Sequence, residues 1–203
     1  MRPESALAGL PRLVRVADET RWRGQSAVAT AIVVAAYWGA TWLVGETVEP
    51  ARATLAFAGV MLPTLVIVSL GSGRRMREAL SGVAPPPRAS VHETPASSRE
   101  RRLRLAGVVL TGIIALLIFE RFTGSGGVLA GLVAGLLLAL GIADWREAGV
   151  WEAAERERES RIFVLIRPDA LTPRLGATDL YEAPRPGRES DRAYEPSPFD
   201  LGI

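Results

Sequence analysis

The stretch that decides the fold is GVLAGLVAGLLLALG, residues 127–141, in which no side chain is charged or polar. Its 15 residues include four glycines, and in a water-exposed helix each glycine costs roughly 1 kcal/mol relative to alanine. A membrane helix tolerates this composition, because small residues allow a second helix to approach closely. The stretch therefore predicts a transmembrane helix with a packing face.

Four segments of the chain are free of charge and are candidate membrane spans. They are residues 26–44, 53–73, 105–119 and 122–143. A bilayer core requires roughly 20 apolar residues in a helix, and the third segment approaches this length when Leu103 and Phe122 are included. Four such segments leave too little amphipathic sequence to wrap them in a soluble bundle. We expect an all-α integral membrane protein with four transmembrane helices in two hairpins.

The distribution of arginine predicts the orientation of these helices. All 24 basic residues are arginine, and 22 of them lie in the two terminal segments and the loop between the second and third spans. Positively charged loops remain in the cytoplasm, so both termini and this loop are expected there. Lysine and asparagine are absent, and because their codons are A-rich, we interpret the source as a GC-rich bacterial genome. We expect the bacterial inner membrane, with both termini cytoplasmic.

The segments outside the spans complete the domain organisation. Pro85–Pro87 and Ala96–Ser98 predict a linker in which no helix continues, whereas i,i+4 pairs such as Glu152 and Arg156 indicate a charged helical stalk. The apolar Ile162–Ile166 fits a short strand, a membrane-surface segment or a docking peptide. Six prolines and twelve charged residues follow it, which is typical of disorder. The predicted parts are an N-terminal cytoplasmic segment (1–25), a first transmembrane hairpin (26–73), a cytoplasmic linker (74–102), a second transmembrane hairpin (103–143), a helical cytoplasmic extension with the short apolar segment (144–166) and a disordered or partner-docking tail (167–203).

Small residues recur every four positions on the first and last predicted helices and form candidate packing faces. In lipid, helices associate through close packing, because burial of apolar surface gains little there. The predicted helix-packing residues are Gly127, Gly131, Gly135 and Ala139 on the last helix and Ala27, Ala31, Ala35 and Gly39 on the first. Ordinary alanine- and glycine-rich membrane composition is the alternative explanation. Whether the face meets its own chain or another copy stays open.

No residue pattern in the chain indicates an enzyme. Cysteine is absent and His92 is the only histidine, so neither a disulfide framework nor a thiolate or histidine metal site is expected. The predicted spans contain none of the charged residues that mark proton relays and ion paths. We therefore expect no catalytic residue, cofactor or metal. The net charge of +2 gives no indication of nucleic-acid binding.

Arginine clusters beside the spans are candidate contacts for anionic lipid headgroups, at about 1 kcal/mol per residue near the surface. The selected residues are Arg74, Arg75, Arg101 and Arg102. We expect a non-enzymatic accessory or scaffold subunit of a membrane complex, whose partners are the lipid bilayer and other membrane protein subunits or copies of itself. The alternative is a small oligomeric transporter or channel, for which Thr30, Tyr37 and Thr41 are the only candidate polar lining.

Overall fold

The computed structural model describes residues 12–44, 49–85, 91–92, 95–166 and 180–184. About 80% of these residues are helical. The four helices are α1 (Val16–Leu43), α2 (Pro50–Ser81), α3 (Pro95–Thr123) and α4 (Val128–Glu157). All four are long and apolar enough to cross a membrane, which confirms the predicted number of such helices.

Two helices extend into the segment predicted to be a linker. α2 continues to Ser81, and α3 already begins at Pro95. The prediction that Ala96–Ser98 interrupts a helix is wrong, because these residues lie in the first turn of α3. Proline is well suited to the first helical position, where its missing N–H has no partner in any case.

The central helix of the bundle is α4. Both α1 and α2 pack along it, whereas α3 contacts it at few positions. Within the described residues, neither α1 with α2 nor α3 with α4 forms an extensive interface, although each pair is consecutive in the chain. The largest helix contacts are therefore made between the two predicted hairpins and not within them.

A four-stranded sheet lies at one end of the bundle. Its strands are β1 (Arg12–Arg15), β2 (Val91–His92), β3 (Ser160–Ile166) and β4 (Leu180–Pro184). In the order β2-β1-β3-β4, β1 is parallel to β2 and antiparallel to β3, and β3 is antiparallel to β4. The all-α prediction does not account for this sheet, because its short strands form only by pairing between segments that are far apart in the chain.

Strands β3 and β4 come from the segments after the last predicted span. β3 contains Ile162–Ile166, so the strand is the one of the three alternatives that the structure adopts. β4 belongs to the predicted tail, and its outer edge also pairs with Ala84: the Ala84 N–H donates to Leu180 O at 3.1 Å, and the Glu182 N–H donates to Ala84 O at 2.9 Å. Residues 180–184 are therefore ordered against their own chain, and the rest of the tail lies outside the described residues.

One hydrophobic core joins the sheet to the helices, at what we call the sheet end of the bundle. Its buried side chains are Val14, Val16, Ala17, Met76, Trp151, Ala154, Ile162, Val164 and Leu180. Leu13 and Phe163 alternate with core-facing neighbours along their strands and are buried too. A second cluster lies nearer the opposite end, the loop end, and contains Val34, Ile113, Ala130 and Ala134.

Candidate functional site

Two glycines bring α2 and α4 close together. A Cβ atom built on Gly131 would lie less than 3.0 Å from the carbonyl oxygen of Ala53, and one built on Gly135 would lie equally close to that of Phe57. Real Cβ atoms essentially never make contacts this short. At the observed helix separation both positions therefore require glycine. The helix that they meet belongs to the same chain.

A further pair of glycines, absent from the predicted stripes, lies between α1 and α4. A Cβ atom on Gly24 would lie 2.8 Å from Gly141 O, and one on Gly141 would lie 2.9 Å from Gly24 O. A Cβ atom at either position would therefore meet the backbone of the other helix, so glycine allows the two backbones to approach closely. Gly24 was missed because it directly follows Arg23 and lies before the first predicted span.

The other residues of the predicted stripes have varied surroundings. Ala31 and Ala139 are buried, at 3% and 0% exposure, and Gly127 precedes α4 in the left-handed conformation, with φ of 93°. In contrast, no atom of the described residues lies within 4 Å of a Cβ atom built on Gly39, and Ala35 is exposed. The face of α1 that meets α4 is thus displaced from the stripe read from the sequence.

Glu155 of α4 connects three elements at the sheet end. Its carboxylate is 1% exposed and accepts hydrogen bonds from Arg15 Nε on β1 and from the Ile162 N–H on β3, each at 3.0 Å. The hydrogen bonds with Glu155 raise the pKa of the Arg15 guanidinium above its ordinary value, although burial acts in the opposite direction. Arg15 therefore stays charged, as a buried carboxylate requires of its partner.

Glu19 and Arg101 form a second buried ion pair, between α1 and α3. The two terminal nitrogens of Arg101 donate to the two carboxylate oxygens at 3.0 and 2.7 Å. The Glu19 and Arg101 side chains are 2% and 10% exposed. Arg101 was predicted to contact lipid headgroups, but this bidentate geometry directs its guanidinium to Glu19. The pair holds the first turns of α3 against α1.

Two more ion pairs connect α1 and α4. Arg21 Nη2 lies 2.6 Å from Glu152 Oε1, and Arg23 Nε lies 3.6 Å from Asp144 Oδ2. The four side chains are between 22% and 40% exposed, so each pair contributes about 0–1 kcal/mol. Together they place opposite charges along the contact between the two helices.

The other arginines predicted to contact headgroups differ from Arg101. The Arg102 guanidinium carbon lies 5.2 Å from the centre of the Trp22 ring, within the range of a cation–π interaction. Its buried Nε has no hydrogen-bond partner within the described ranges. Arg74 and Arg75 lie in α2, and their side chains are outside the described part of the chain. Arg102 therefore retains an unsatisfied donor beside an aromatic ring.

Comparisons with known proteins do not identify a relative of this chain. No protein-family model, curated protein or solved structure matches the chain. Where the structure describes the chain, no group of three or more His, Asp or Glu side chains is arranged to hold a metal ion. The features that remain for a functional interpretation are the sheet, its buried ion pairs and the helix surfaces.

Glu120 is a buried charge at the loop end. Its Oε1 accepts hydrogen bonds from Ser125 Oγ at 3.0 Å and from the Ala130 N–H, in the first turn of α4, at 3.2 Å. A carboxylate is favourable there, because the first N–H groups of a helix lack partners within the helix. Glu49 and Arg52 form an exposed pair nearby in the fold, at 2.7 Å. The Glu120 hydrogen bonds and the Glu49–Arg52 pair therefore stabilise the loop end of the bundle.

Sequence reasoning missed the carboxylates that hold the sheet end together. Glu155 follows Ala148 and Trp151 at helical spacing, and all three are buried. A charged residue on an otherwise apolar helix face is a signal that could have identified it, because a buried charge requires a partner. Glu19 gives no such signal, because its neighbours Asp18, Thr20 and Arg21 are themselves polar or charged.

Proposed function

We propose that the protein is a multi-pass protein of the bacterial inner membrane and acts as a non-enzymatic accessory or scaffold subunit of a membrane complex. The observation that supports insertion is a set of large apolar side chains on α2 and α3 that are more than half exposed: Leu62, Val66, Ile67, Leu70, Val108, Leu110 and Ile118. Soluble monomers rarely expose contiguous apolar surface of this kind. Contact with lipid acyl chains avoids the free-energy cost of exposing these apolar side chains to water.

The sheet supports placing both terminal parts on one side of the membrane. β1 precedes α1, β2 lies between α2 and α3, and β3 and β4 follow α4. An even number of helices therefore separates these strands, and strands that pair directly have to be on the same side of a bilayer. Because 22 of the 24 arginines belong to the segments on that side, the positive-inside rule assigns it to the cytoplasm.

The paired charges support a scaffold role. Glu19, Glu152 and Glu155 each accept a hydrogen bond from an arginine, so these carboxylates neutralise fixed cations and are unsuited to act as general acids or bases. The pair of Glu155 with Arg15 connects the sheet to α4, and the other two pairs connect α1 to α3 and to α4. We propose that this connection holds the sheet in a fixed position at the membrane surface, where a partner subunit contacts it.

The polar residues of α1 give little support to the alternative, an oligomeric transporter or channel. Thr41 donates its hydroxyl to Trp38 O at 2.8 Å, within its own helix. Thr30 lies among apolar side chains between α1 and α3, and Tyr37 is 41% exposed. These residues share no continuous polar surface along the described helix, so the scaffold is the function that we favour.

Topology and complex formation test this proposal separately. Reporters fused near His92 and at the C-terminus should be cytoplasmic, and reporters near Glu49 and Ser125 should be external. His92 and the C-terminus on opposite sides would contradict the topology. Purification in two mild detergents should recover a second membrane protein at constant stoichiometry. A partner-free monomer in both detergents would contradict the scaffold role, and a homo-oligomer that conducts ions after reconstitution would favour the channel.

A further inference from the structure

α1 and α3 enclose a cleft of about 400 Å³. At the sheet end the Glu19–Arg101 ion pair joins the two helices, and towards the loop end Val34 and Ile113 belong to one buried cluster. Between these two contacts the helices are apart, and Leu137 of α4 contributes to the lining. The cleft is therefore bounded by α1, α3 and α4 and ends near the middle of the bundle.

The apolar lining has the depth of one leaflet of a bilayer. It extends from Trp22 to Val33 on α1 and from Leu105 to Ile113 on α3. The α1 side of the lining rises about 16 Å and the α3 side about 12 Å, which is close to half of the roughly 30 Å hydrocarbon core. Val33 and Leu110 line the cleft and are still more than half exposed. The cleft therefore opens sideways to the surroundings of the helices.

Small side chains create this space. Ala27, Ala29 and Ala106 all line the cleft. Ala27 belongs to the stripe that the sequence analysis assigned to close helix packing. In the fold Ala27 faces the cleft, so its small side chain leaves room between α1 and α3.

Two arginines with unsatisfied donors lie at the sheet end of the cleft. Arg23 lines it, as does Trp22, the ring over which Arg102 lies. The Nε atoms of both arginines are buried and have no hydrogen-bond partner among the residues that the structure describes. The Asp144 carboxylate, 3.6 Å from Arg23 Nε, is too distant for a hydrogen bond. Since buried donors are nearly always satisfied, an acceptor from outside the described residues is expected here.

We propose that the cleft binds one anionic phospholipid of the cytoplasmic leaflet, with its phosphate at Arg23 and Arg102 and an acyl chain between α1 and α3. The site rests on the proposed membrane insertion. Phosphate oxygens form strong charge-assisted hydrogen bonds with guanidinium groups, and the acyl chain matches the apolar lining. A small anion without a chain would satisfy the arginines and leave the apolar part of the cleft empty, so the lining favours a lipid.

Native mass spectrometry of the full chain in detergent micelles, with added phosphatidylglycerol or phosphatidylcholine, tests this site. The wild type should retain one phosphatidylglycerol, about tenfold more tightly than phosphatidylcholine. Arg102→Gln should weaken phosphatidylglycerol binding about fivefold, which is the contribution of one arginine near an anionic surface. Ala106→Leu fills the cleft and should reduce the binding of both lipids.

Two matched controls separate the site from general effects of charge and bulk. Arg104→Gln removes an arginine of the same helix that pairs with Glu100 and is 69% exposed. Ala115→Leu adds the same bulk as Ala106→Leu at an exposed position of α3 outside the cleft. Both controls should bind phosphatidylglycerol as the wild type does.

Several results would overturn the lipid site. These are equal retention of phosphatidylglycerol by the wild type, Arg102→Gln and Ala106→Leu, or equal wild-type affinity for the two lipids. Circular dichroism and elution volume verify that each variant folds, and Arg23→Gln replaces Arg102→Gln if the latter does not. Release of the wild type from membranes by alkaline carbonate would contradict insertion itself, whereas a chain that stays in the membrane without lipid preference would contradict the cleft alone.

Discussion

Replacing Gly131 with alanine places a methyl group against the backbone of α2. The new Cβ would lie less than 3.0 Å from the oxygen and 3.2 Å from the carbonyl carbon of Ala53, whereas ordinary contacts begin at 3.4 Å. The helices therefore have to separate by about 0.5–1 Å. A gap of this size loses about a quarter to a half of each carbon–carbon contact, or about 2–4 kcal/mol over roughly 50 contacts of about 0.15 kcal/mol. Alanine recovers about 1 kcal/mol of helix propensity, which leaves a net loss of about 1–3 kcal/mol.

The matched control is Gly39→Ala in α1. It makes the same change on the predicted stripe, but within the part of the chain that the structure describes no atom lies within 4 Å of its built Cβ. Thermal unfolding in one detergent, followed by circular dichroism, should show a Tm about 4–8 °C lower for Gly131→Ala if the loss is about 2 kcal/mol. Gly39→Ala should unfold at the wild-type temperature or slightly above it. Equal Tm values for the two variants would refute the reasoning that Gly131 is needed for the contact between α2 and α4.

The sheet end gives two further predictions. Glu155→Ala should lower the free energy of unfolding by about 3 kcal/mol, because Arg15 and the Ile162 N–H lose a buried acceptor. Glu152→Ala, which breaks a partly exposed pair, should cost at most about 1 kcal/mol in the same measurement, and equal losses would contradict the assigned role of Glu155. Leu180→Ala should cost about 2–4 kcal/mol, since Leu180 is 2% exposed in the core beneath β4. Hydrogen exchange in β3 should then accelerate, and unchanged exchange would show that β4 does not protect the core.

The four helices could be predicted because the length and composition of a span are local properties of the sequence. Most of each charge-free segment lies in a different one of the four helices. The ends of the helices were harder to predict, because charged and serine-rich sequence is compatible with both helix and linker. For this reason the extension of α2 to Ser81 and the start of α3 at Pro95 were not anticipated.

The sheet could not be predicted, because each strand depends on a distant partner. β1 has four residues and β2 has two, too few for an alternating pattern to be recognised. Leu13 pairs with Leu165, and no local feature of either residue indicates the other. Only β3, with five consecutive apolar residues, was considered as a strand.

The contacts of the arginines near the cleft could not be predicted from the sequence either, because they also depend on residues far away in the chain. Arg101 and Arg102 are neighbours in one cluster and look equivalent in the sequence. The fold places Glu19 beside the first and Trp22 beside the second, so of these two arginines Arg102 is the one whose buried Nε has no hydrogen-bond partner among the described residues. The sequence predicted headgroup contacts for both arginines. The side chains of α1 that lie beside them determine which of the two is available to a ligand.

β1 is synthesised before any of the helices, and its antiparallel partner β3 follows all four. Arg12 pairs with Ile166, so at about 5–20 residues per second the first strand waits about 8–30 s for that partner. Until then Leu13 and Val14 lack the cover that they have in the finished fold. In the proposed topology, a chain that omits or inverts one helix leaves β1 and β3 on opposite sides of the bilayer. Closure of the sheet is then a checkpoint for correct insertion, because a misthreaded chain keeps these apolar strands open to chaperones and proteases.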